Sequence, residues 1–201
     1  MEKIVLDAED VRRTLARMGH EIVERTGGRA LAVVGVHRRG AVLARRLHER
    51  LLGLSGADIP LGDVDISFYR DDVGLRTGSR QPVVHASHLD FPLEGRTIVL
   101  VDDVLYTGRT VRAAIDALFD YGRPQRVQLA VLADRGHREL PIRPDYVGKN
   151  LPTARAERVN VRVEEIDGVD EVTIVEAAEE SGADSEPSPA VVAESEREAG
   201  A

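Results

Sequence analysis

Short apolar runs that alternate with helical segments constrain the fold of this chain more than any other feature. Residues 30–36, 97–101 and 127–133 are almost wholly apolar and five to seven residues long, as expected of strands that are buried on both faces. Helical patterns at 41–52 and 108–121 follow the first two runs. This order predicts an α/β fold, a mainly parallel twisted sheet with helices on both faces, in which ligands bind beyond the carboxyl ends of the strands.

The other segments fit the same architecture. A helix is predicted over residues 8–25, because Val11, Leu15, Met18 and Ile22 recur at helical spacing and two glycines end the run. The remaining predicted segments are a strand at 63–72, a long loop at 71–88, a polar segment at 134–157, and late strands near 159–164 and 172–175.

The acidic charge of the chain is concentrated at its C-terminal end. The formal net charge is −8, yet residues 176–201 contain eight acidic residues against Arg197 as the single base. The rest of the chain is therefore nearly neutral. Because a segment rich in Ser, Pro, Ala and Glu can bury little, we expect a folded domain over 1–175 and an acidic disordered tail over 176–201.

Composition excludes several classes of site. The chain contains no cysteine, so it forms neither disulfides nor thiolate metal sites. No apolar run reaches the length of a transmembrane helix, and the charged start "MEKIVLDAED" does not resemble a signal peptide. We therefore expect a soluble, cytoplasmic protein without a membrane partner.

The stretch "TIVLVDDVLYTGRT" places two carboxylates at the end of an apolar strand. Asp102 and Asp103 are predicted at the carboxyl edge of the sheet, and Thr107, Gly108 and Thr110 at the start of the next helix. The N–H groups and the dipole of a helix N-terminus attract phosphate, and a glycine lets the backbone approach it closely. The stretch therefore predicts a sugar-phosphate site, with phosphate in the turn and sugar hydroxyls on the carboxylates.

Two other interpretations of this stretch are available from the residues alone. A buried strand, an acidic helix cap and a turn would account for each feature separately. A P-loop nucleotide site would need the pattern G-x-x-x-x-G-K-[ST], and the sequence does not contain it.

"VLVDDVLYTGRT" resembles the phosphoribosyl-pyrophosphate (PRPP) motif of the type I phosphoribosyltransferases. Further segments are similar to one group of that family, the bifunctional regulators of pyrimidine operons that are also uracil phosphoribosyltransferases. The resemblance spans about residues 4–175 and rests on "VRRTLARMGHEIVERT", "GVHRRGAVLARRL", "DISFYRDD" and "DALFDYGRPQRVQLAVLADRGHRELPIRPDYVGKNLPT". It implies the type I phosphoribosyltransferase fold with a small hood, and a homodimer or higher homo-oligomer.

The resemblance also implies a reaction, in which uracil and PRPP give UMP and pyrophosphate. It implies Mg²⁺ as a cofactor that PRPP and water hold, with Asp102 and Asp103 as candidates for contacts through water. The catalytic residues that it implies are Asp102, Asp103 and Arg39. Arg38 stands where the family commonly has a threonine, so the chain departs from the family pattern there. The implied PRPP-binding residues are Arg38, Arg39, Gly40, Arg80, Asp102, Asp103, Val104, Leu105, Tyr106, Thr107, Gly108, Arg109 and Thr110.

By the same resemblance, uracil binding is expected at Asp134, Arg135 and Val159. A second activity is implied, UMP-promoted binding to the leader of pyrimidine-operon mRNA. Arg17 is expected on the polar face of helix 8–25, so its removal should not disturb packing. Two alternatives remain, an RNA-binding regulator with vestigial catalysis and a phosphoribosyltransferase for another base. The RNA-binding candidates are Arg13, Arg17, His20, Arg25, His137, Arg138, Arg143 and Lys149.

Overall fold

The computed structural model describes residues 2–67 and 87–176, which form eight strands and four helices. In chain order they are β1 (Glu2–Leu6), α1 (Ala8–Thr26), β2 (Leu31–Val36), α2 (Arg39–Ser55), β3 (Leu61–Val64), β4 (Thr97–Leu105), α3 (Arg109–Phe119), β5 (Arg126–Asp134), β6 (Tyr146–Asn150), β7 (Glu157–Arg162), α4 (Glu164–Asp167) and β8 (Glu171–Glu176). The predicted 71–88 loop, apart from its last two residues, and the predicted tail beyond its first residue lie outside this range.

Five parallel strands form the main sheet, in the order β3–β2–β4–β5–β6. The chain leaves β2 toward one edge, where β3 lies, and leaves β4 toward the other edge, where β5 and β6 lie. Connections therefore diverge between β2 and β4. In open α/β sheets such a point leaves a crevice at the carboxyl ends of the strands, which is where ligands bind. The predicted α/β architecture is confirmed.

The central strand β4 contributes side chains to both faces of the sheet. Val99 and Val101 belong to the core under helices α1 and α2, whereas Ile98 and Leu100 belong to the core under α3. All four side chains are buried. Alternate side chains of a strand point to opposite faces, so a strand covered on both faces must be apolar at every position. This explains the uninterrupted apolar run at the start of β4.

Helix α1 begins and ends with specific capping interactions. The Asp7 carboxylate accepts from the N–H of Asp10 (2.8 Å), and the Asp10 carboxylate accepts in return from the N–H of Asp7, which is a capping box. Gly27 ends the helix in the left-handed conformation. No helix among the described residues is both long and apolar enough to cross a membrane.

A second, antiparallel sheet of order β1–β8–β7 joins the two ends of the described chain. With the short helix α4 it forms the small hood that the resemblance implies. Its buried residues Leu6, Val161 and Val172 belong to the same core as helices α1 and α2. The hood is therefore fixed to the main sheet by shared apolar packing.

Several predicted boundaries were wrong. The strand predicted at 63–72 ends at Val64 and pairs with β2; its part beyond residue 67 lies outside the described residues. Strand β4 continues through Asp102 and Asp103 to Leu105, because β5 pairs with it that far. Strands β1 and β6 were missed, since both are edge strands with mostly accessible side chains and thus no apolar run.

Helix α2 offers a matched pair for testing which leucines hold this core. Leu47 is 0% exposed and lies in the core, whereas Leu52 on the same helix is 37% exposed. We expect Leu47→Ala to lower the free energy of unfolding by about 2–5 kcal/mol, through lost burial and the remaining cavity. Leu52→Ala should change it by less than about 1 kcal/mol. Urea unfolding followed by circular dichroism gives both values, and equal losses would contradict this packing.

Candidate active site

The two adjacent carboxylates lie at the position where β4 loses one of its neighbours. Pairing of β2 with β4 ends at Val101, whereas pairing of β5 with β4 continues to Leu105. Asp102 is therefore the first residue of β4 beyond its pairing with β2. Asp102 is buried and Asp103 is half-buried. The crevice between the diverging strands thus opens directly onto this pair.

Backbone donors orient the carboxylates. Oδ1 of Asp102 accepts from the N–H of Asp103 (3.0 Å), and Oδ1 of Asp103 accepts from the N–H of Val104 (2.7 Å). Burial raises the pKa of Asp103, because an ionised carboxylate loses hydration there; the hydrogen bond from Val104 and the charge of Arg39 oppose this rise. Ionisation of the Asp103 carboxyl group is therefore costly at this position, where the carboxylate can interact with a ligand in the crevice.

Gly40 allows the loop between β2 and α2 to reach these carboxylates. A Cβ atom at position 40 would lie 2.6 Å from the carbonyl oxygen of Val101 and 3.1 Å from Cα of Asp102. No side chain fits in that space, so only glycine permits this approach. The preceding residues, Arg38 and Arg39, are thereby brought to the carboxylate end of β4, as the resemblance implies.

Arg39 also reaches the hood, a contact that the sequence did not indicate. Its Nε and Nη2 donate to the two carboxylate oxygens of Asp167 in α4, at 3.0 and 2.7 Å. This hydrogen bond raises the pKa of Arg39 and lowers that of Asp167. A bidentate pair of this kind has a defined geometry, so the hood positions the arginine beside Asp103.

The turn before α3 has the features expected of a phosphate loop. Gly108 is the N-cap residue, with φ +94°, and provides no side chain to cap the helix. The N–H of Arg109 lies 3.3 Å from Oγ1 of Thr107, and the carbonyl of Thr107 accepts from the N–H groups of Glu139 (3.0 Å) and Leu140 (3.1 Å). Backbone hydrogen bonds from Glu139 and Leu140 thus fix the loop. The positive end of the helix dipole faces the crevice.

Two cavities meet at Asp103. One of about 400 Å³ is lined by His37, Arg38, Arg39, Asp65, Ile66, Ser67, Asp102, Asp103, Val104 and Thr110. The other, about 340 Å³, lies under the hood and is lined by Arg39, Asp103, Val104, Val159, Asn160, Val161, Arg162 and Asp167. Because three residues line both, a ligand can extend from one cavity into the other past Asp103.

Asp65 is a further carboxylate in the first cavity, and the sequence analysis did not select it. It is buried and accepts hydrogen bonds from the N–H (2.8 Å) and the hydroxyl (2.6 Å) of Ser67. Because the strand was predicted to run from 63 to 72, Asp65 was placed within it and not at its end; the structure ends β3 at Val64, directly before Asp65. Asp167 gave no sequence signal, because α4 is only four residues long. Arg80, the arginine expected to reach pyrophosphate, lies outside the described residues.

The three residues expected to bind uracil do not all line one cavity. Val159 lies in the cavity under the hood. Asp134 and Arg135 instead order the loop after β5: the Asp134 carboxylate accepts from the N–H of Gly136 (3.0 Å), and Nη2 of Arg135 donates to the carbonyl of Glu157 (2.7 Å). These side chains therefore have structural partners, and contact with a base remains a prediction.

Arg135 nevertheless contacts the phosphate loop. Its guanidinium lies 4.0 Å from the ring centroid of Tyr106 in the phosphate loop, a cation–π distance. Its Nε is the one buried side-chain donor without a hydrogen-bond partner among the described residues. The loop after β5 is thus tied to both the phosphate loop and the hood.

Arg17, expected to face solvent, joins helix α1 to the edge strand β6. Its Nη2 donates to the carbonyl oxygens of Val147 (3.0 Å) and Gly148 (2.6 Å). Arg25 similarly donates to the carbonyl of Asp145 (3.0 Å), just before β6. Arg17 is exposed and lies outside the core, as expected, but its loss would leave these edge-strand carbonyls without this donor.

Other RNA-binding candidates lie near the same edge. Nζ of Lys149 in β6 donates to the carbonyl of Val5 (3.1 Å), and the charge of Lys149 acts on Asp10 of helix α1. Arg13 pairs with Asp10 at 2.6 Å, and His20 is exposed on the same helix. We call Arg13, Arg17, His20, Arg25 and Lys149 the β6-edge surface.

The loop between β5 and β6 carries the remaining candidates. Arg138 pairs with Asp134 at 2.5 Å. Both residues, together with the exposed Arg143 and with Val147 of β6, line a cavity of about 550 Å³. His137 lies in the same loop, with Nε2 2.6 Å from a backbone carbonyl oxygen. Because Val147 also accepts from the Arg17 side chain, this loop adjoins the β6-edge surface.

Comparisons with known proteins agree with this site. A family model described as "Phosphoribosyl transferase domain" matches residues 3–165, which include both carboxylates, the phosphate loop and the β2–α2 loop. The bifunctional protein PyrR of Roseiflexus sp. (strain RS-1) is 57% identical over 183 residues, which cover 90% of this chain and 99% of that protein. PyrR of Listeria monocytogenes serotype 4a (strain HCC23) is 53% identical over 174 residues, 86% of this chain and 95% of the relative.

Solved structures agree on the fold. The hypoxanthine phosphoribosyltransferase of Trypanosoma cruzi superposes with a TM-score of 0.66 at 18% identity, covering 88% of this chain and 97% of that one. A hypoxanthine phosphoribosyltransferase from Staphylococcus aureus gives 0.63 at 20% identity, covering 85% and 90%. The fold is thus that of the type I phosphoribosyltransferases, and the sequence relatives narrow the assignment. The chain belongs to the phosphoribosyltransferase family and, within it, to the bifunctional PyrR proteins.

Proposed function

We propose that this phosphoribosyltransferase uses uracil as its base, forming UMP and pyrophosphate from uracil and PRPP, and that it also binds the leader of pyrimidine-operon mRNA. The observation that carries the enzymatic part is the crevice in which a carboxylate pair, a phosphate loop and an arginine loop face one another across two joined cavities. The 50–57% identity to bifunctional PyrR proteins supports the choice of uracil and of RNA.

The phosphate loop accounts for binding of the 5′-phosphate of PRPP. The first N–H groups of α3, the hydroxyls of Thr107 and Thr110 and the dipole of the helix all favour a phosphate dianion there. Gly108 has a φ of +94°, which favours glycine, and an added Cβ atom would lie 3.3 Å from Cδ1 of Ile142. From this anchor the ribose would extend toward the end of β4.

The carboxylates account for stabilisation of the reacting sugar. When the bond from C1 to pyrophosphate breaks and the bond to the uracil nitrogen forms, positive charge develops on the ribose. Asp102 and Asp103 hold negative charge in a fixed orientation beside that position, because their oxygens are already bonded to backbone donors. Preorganised charge of this kind is usually the largest single contribution to catalysis.

The arginines of the β2–α2 loop account for the leaving group. We call the cavity of about 400 Å³ the PRPP cavity. Arg38 lines it, and Arg39 lines both cavities. A guanidinium suits bidentate contact with pyrophosphate oxygens. Arg39 is paired with Asp167 in the present structure, so pyrophosphate would compete with, or share, that contact.

Magnesium suits the oxygen donors at this site. The carboxylates of Asp65, Asp102 and Asp103 line the PRPP cavity, and Mg²⁺ prefers carboxylate, phosphate and water oxygens. These side chains would hold the ion chiefly through water while PRPP supplies direct ligands. Bound there, the ion would neutralise charge on the pyrophosphate group. The protein residues contribute orientation and the fixed negative charge.

The cavity under the hood is our proposed base site. It joins the PRPP cavity at Asp103 and is bordered by Val159 and Val161 of β7. An apolar side chain beside backbone polar groups suits a flat heterocycle. The phosphoribosyltransferases of known structure that share this fold act on hypoxanthine by name, so an assay must separate uracil from a purine.

RNA binding is proposed for the β6-edge surface and the adjoining β5–β6 loop. Together they carry Arg13, Arg17, Arg25, Arg138, Arg143 and Lys149, while β6 is an edge strand of the sheet. RNA recognition depends strongly on phosphate contacts by such side chains. The active-site crevice opens at the carboxyl ends of β2 and β4, whereas β6 forms an edge of the sheet. The β5–β6 loop lies between them, because Arg138 donates to the carbonyl of Tyr106 (2.8 Å) in the phosphate loop.

The catalytic role of the carboxylate pair gives a kinetic prediction. With PRPP and Mg²⁺, the protein should convert uracil to UMP and leave hypoxanthine unreacted. Asp103→Asn should lower kcat by about 10²–10³-fold, the usual loss when one charge-stabilising contact is removed. The matched control is Asp116→Asn, an exposed carboxylate on α3 paired with Arg112, which should keep wild-type kinetics. Turnover of hypoxanthine would refute uracil as the base. An unchanged kcat in Asp103→Asn would refute the catalytic role of this carboxylate.

Burial of Asp103 gives a stability prediction with a defined pH dependence. Its pKa is raised in the folded protein, so the folded state favours the neutral carboxyl. Above that raised pKa the folded state carries a costly charge, and below the ordinary value of about 3.9 neither state does. Asp103→Asn should therefore be more stable than wild type at pH 7, and this gain should vanish as the pH falls to about 3.9. Thermal unfolding across pH measures it; a variant less stable at pH 7 would contradict the burial.

The RNA surface is tested at Arg143, an exposed arginine of the β5–β6 loop. We expect Arg143→Ala to weaken binding to leader RNA in the presence of UMP and to flatten the salt dependence by roughly 0.7–0.9 in log–log slope, the loss of one phosphate contact. Uracil turnover should be unchanged. Arg123→Ala is the control, an exposed arginine at the amino end of β5, the opposite end of that strand from the β5–β6 loop. Gel-shift titrations at several salt concentrations decide, and equal effects of the two variants would remove this surface from the RNA site.

A further inference from the structure

Two histidines and an aspartate meet at the outer rim of the PRPP cavity. Nε2 of His37 lies 2.5 Å from Oδ1 of Asp63, and Nδ1 of His88 lies 3.3 Å from the same oxygen. The three ligand-type atoms all lie within 4.8 Å of one another. They come from three separate segments, the β2–α2 loop, strand β3 and the residues that follow position 86.

Backbone hydrogen bonds hold these three segments together. The N–H of His37 donates to the carbonyl of Val64 (3.0 Å), next to Asp63. Asp63 and His88 exchange two backbone hydrogen bonds, each 3.0 Å long, in an isolated antiparallel bridge. A Cβ atom at Gly62 would lie 2.6 Å from the carbonyl oxygen of His88, so this close approach requires glycine. The side chains are thus brought together by the fold.

The cluster is accessible to ions from solvent. The side chains of His37, Asp63 and His88 are 21, 27 and 63% exposed. A cation could therefore reach all three ligands and keep a water molecule on its open side. Catalytic-type zinc sites have the same composition, three protein ligands and one exchangeable position.

We propose that His37, Asp63 and His88 form a binding site for a divalent transition metal, with Zn²⁺ as the reference ion. Two imidazole nitrogens and one carboxylate oxygen match the donors that Zn²⁺ takes, whereas Mg²⁺ prefers a shell of oxygens. Metal–ligand bonds of 2.0–2.2 Å separate neighbouring ligand atoms by about 3.3 Å. The pair Asp63–His88 already has that spacing, and His37 would move away from Asp63 by less than about 1 Å.

Metal binding there would fasten the β2–α2 loop to β3, because His37 directly precedes Arg38. The site is separate from the Mg²⁺ that accompanies PRPP, since it uses none of the carboxylates of the PRPP cavity. The inference also stands apart from the proposed choice of base and RNA, because it rests on the cluster and its backbone alone.

The test is a Zn²⁺ titration of the full chain, freed of metal, in competition with a chromogenic chelator. We expect one high-affinity Zn²⁺ per chain, which a large excess of Mg²⁺ does not displace. His88→Gln should weaken Zn²⁺ binding by at least about tenfold, since loss of even an outer-shell partner commonly costs 10–100-fold. His20→Gln, which removes an exposed histidine on α1, should bind Zn²⁺ like wild type.

Thermal unfolding provides the second measurement. A metal that binds only the folded protein raises its unfolding temperature, so Zn²⁺ should raise that of wild type and of His20→Gln but not that of His88→Gln. Without metal, His88→Gln should unfold near the wild-type temperature; if it does not, Asp63→Asn replaces it in both measurements. Equal Zn²⁺ affinity in the ligand variant and in wild type, or displacement by Mg²⁺, would overturn the proposal and leave a hydrogen-bonded cluster only.

Discussion

The contact between Gly40 and the end of β4 is the constraint on which the active site depends. Because a Cβ atom would lie 2.6 Å from the carbonyl of Val101, the β2–α2 loop can approach the carboxylates only through a glycine. This approach occurs where the pairing of β2 with β4 has ended and β4 continues beside β5, at the point where the strand connections diverge. The carboxylates, the arginines and the phosphate loop then share one crevice, which is the position that open α/β sheets reserve for ligands.

The hood is tied to this crevice by charge as well as by apolar packing. Arg39 forms a bidentate pair with Asp167 of α4, and a neighbouring arginine of α2, Arg46, binds Glu165 and Asp170 of the hood. Both sets of ion pairs are partly accessible to solvent, so each contributes little to stability. Breaking a buried pair would cost more. Their main consequence is positional: the cavity under the hood and the cavity beside the β2–α2 loop keep a fixed relation on either side of Asp103.

The basic residues outside the crevice have two roles. Arg17, Arg25 and Lys149 satisfy backbone carbonyls at or near β6 and at β1, which would otherwise be open groups at a sheet edge. The same side chains leave cationic surface beside the β5–β6 loop. An arginine on a polar helix face therefore cannot be assumed to be free for RNA. Variants that test RNA binding need an exposed residue such as Arg143 of the β5–β6 loop.

By itself, the sequence determined the parallel sheet, the two-sided helix packing and the phosphate loop, because these follow from local patterns: uninterrupted apolar runs, helical spacing, and acids and glycine at a strand end. It also selected Asp102, Asp103, Arg39 and Gly40 through two motifs, each of which is contiguous in the chain. Only the tertiary structure decided the partners that lie far apart in sequence. The Arg39–Asp167 pair spans 128 residues, Arg17 reaches β6 across 131, and His37, Asp63 and His88 come from three segments. Such contacts leave no local pattern, since packing and strand order, and not neighbouring residues, bring these side chains together.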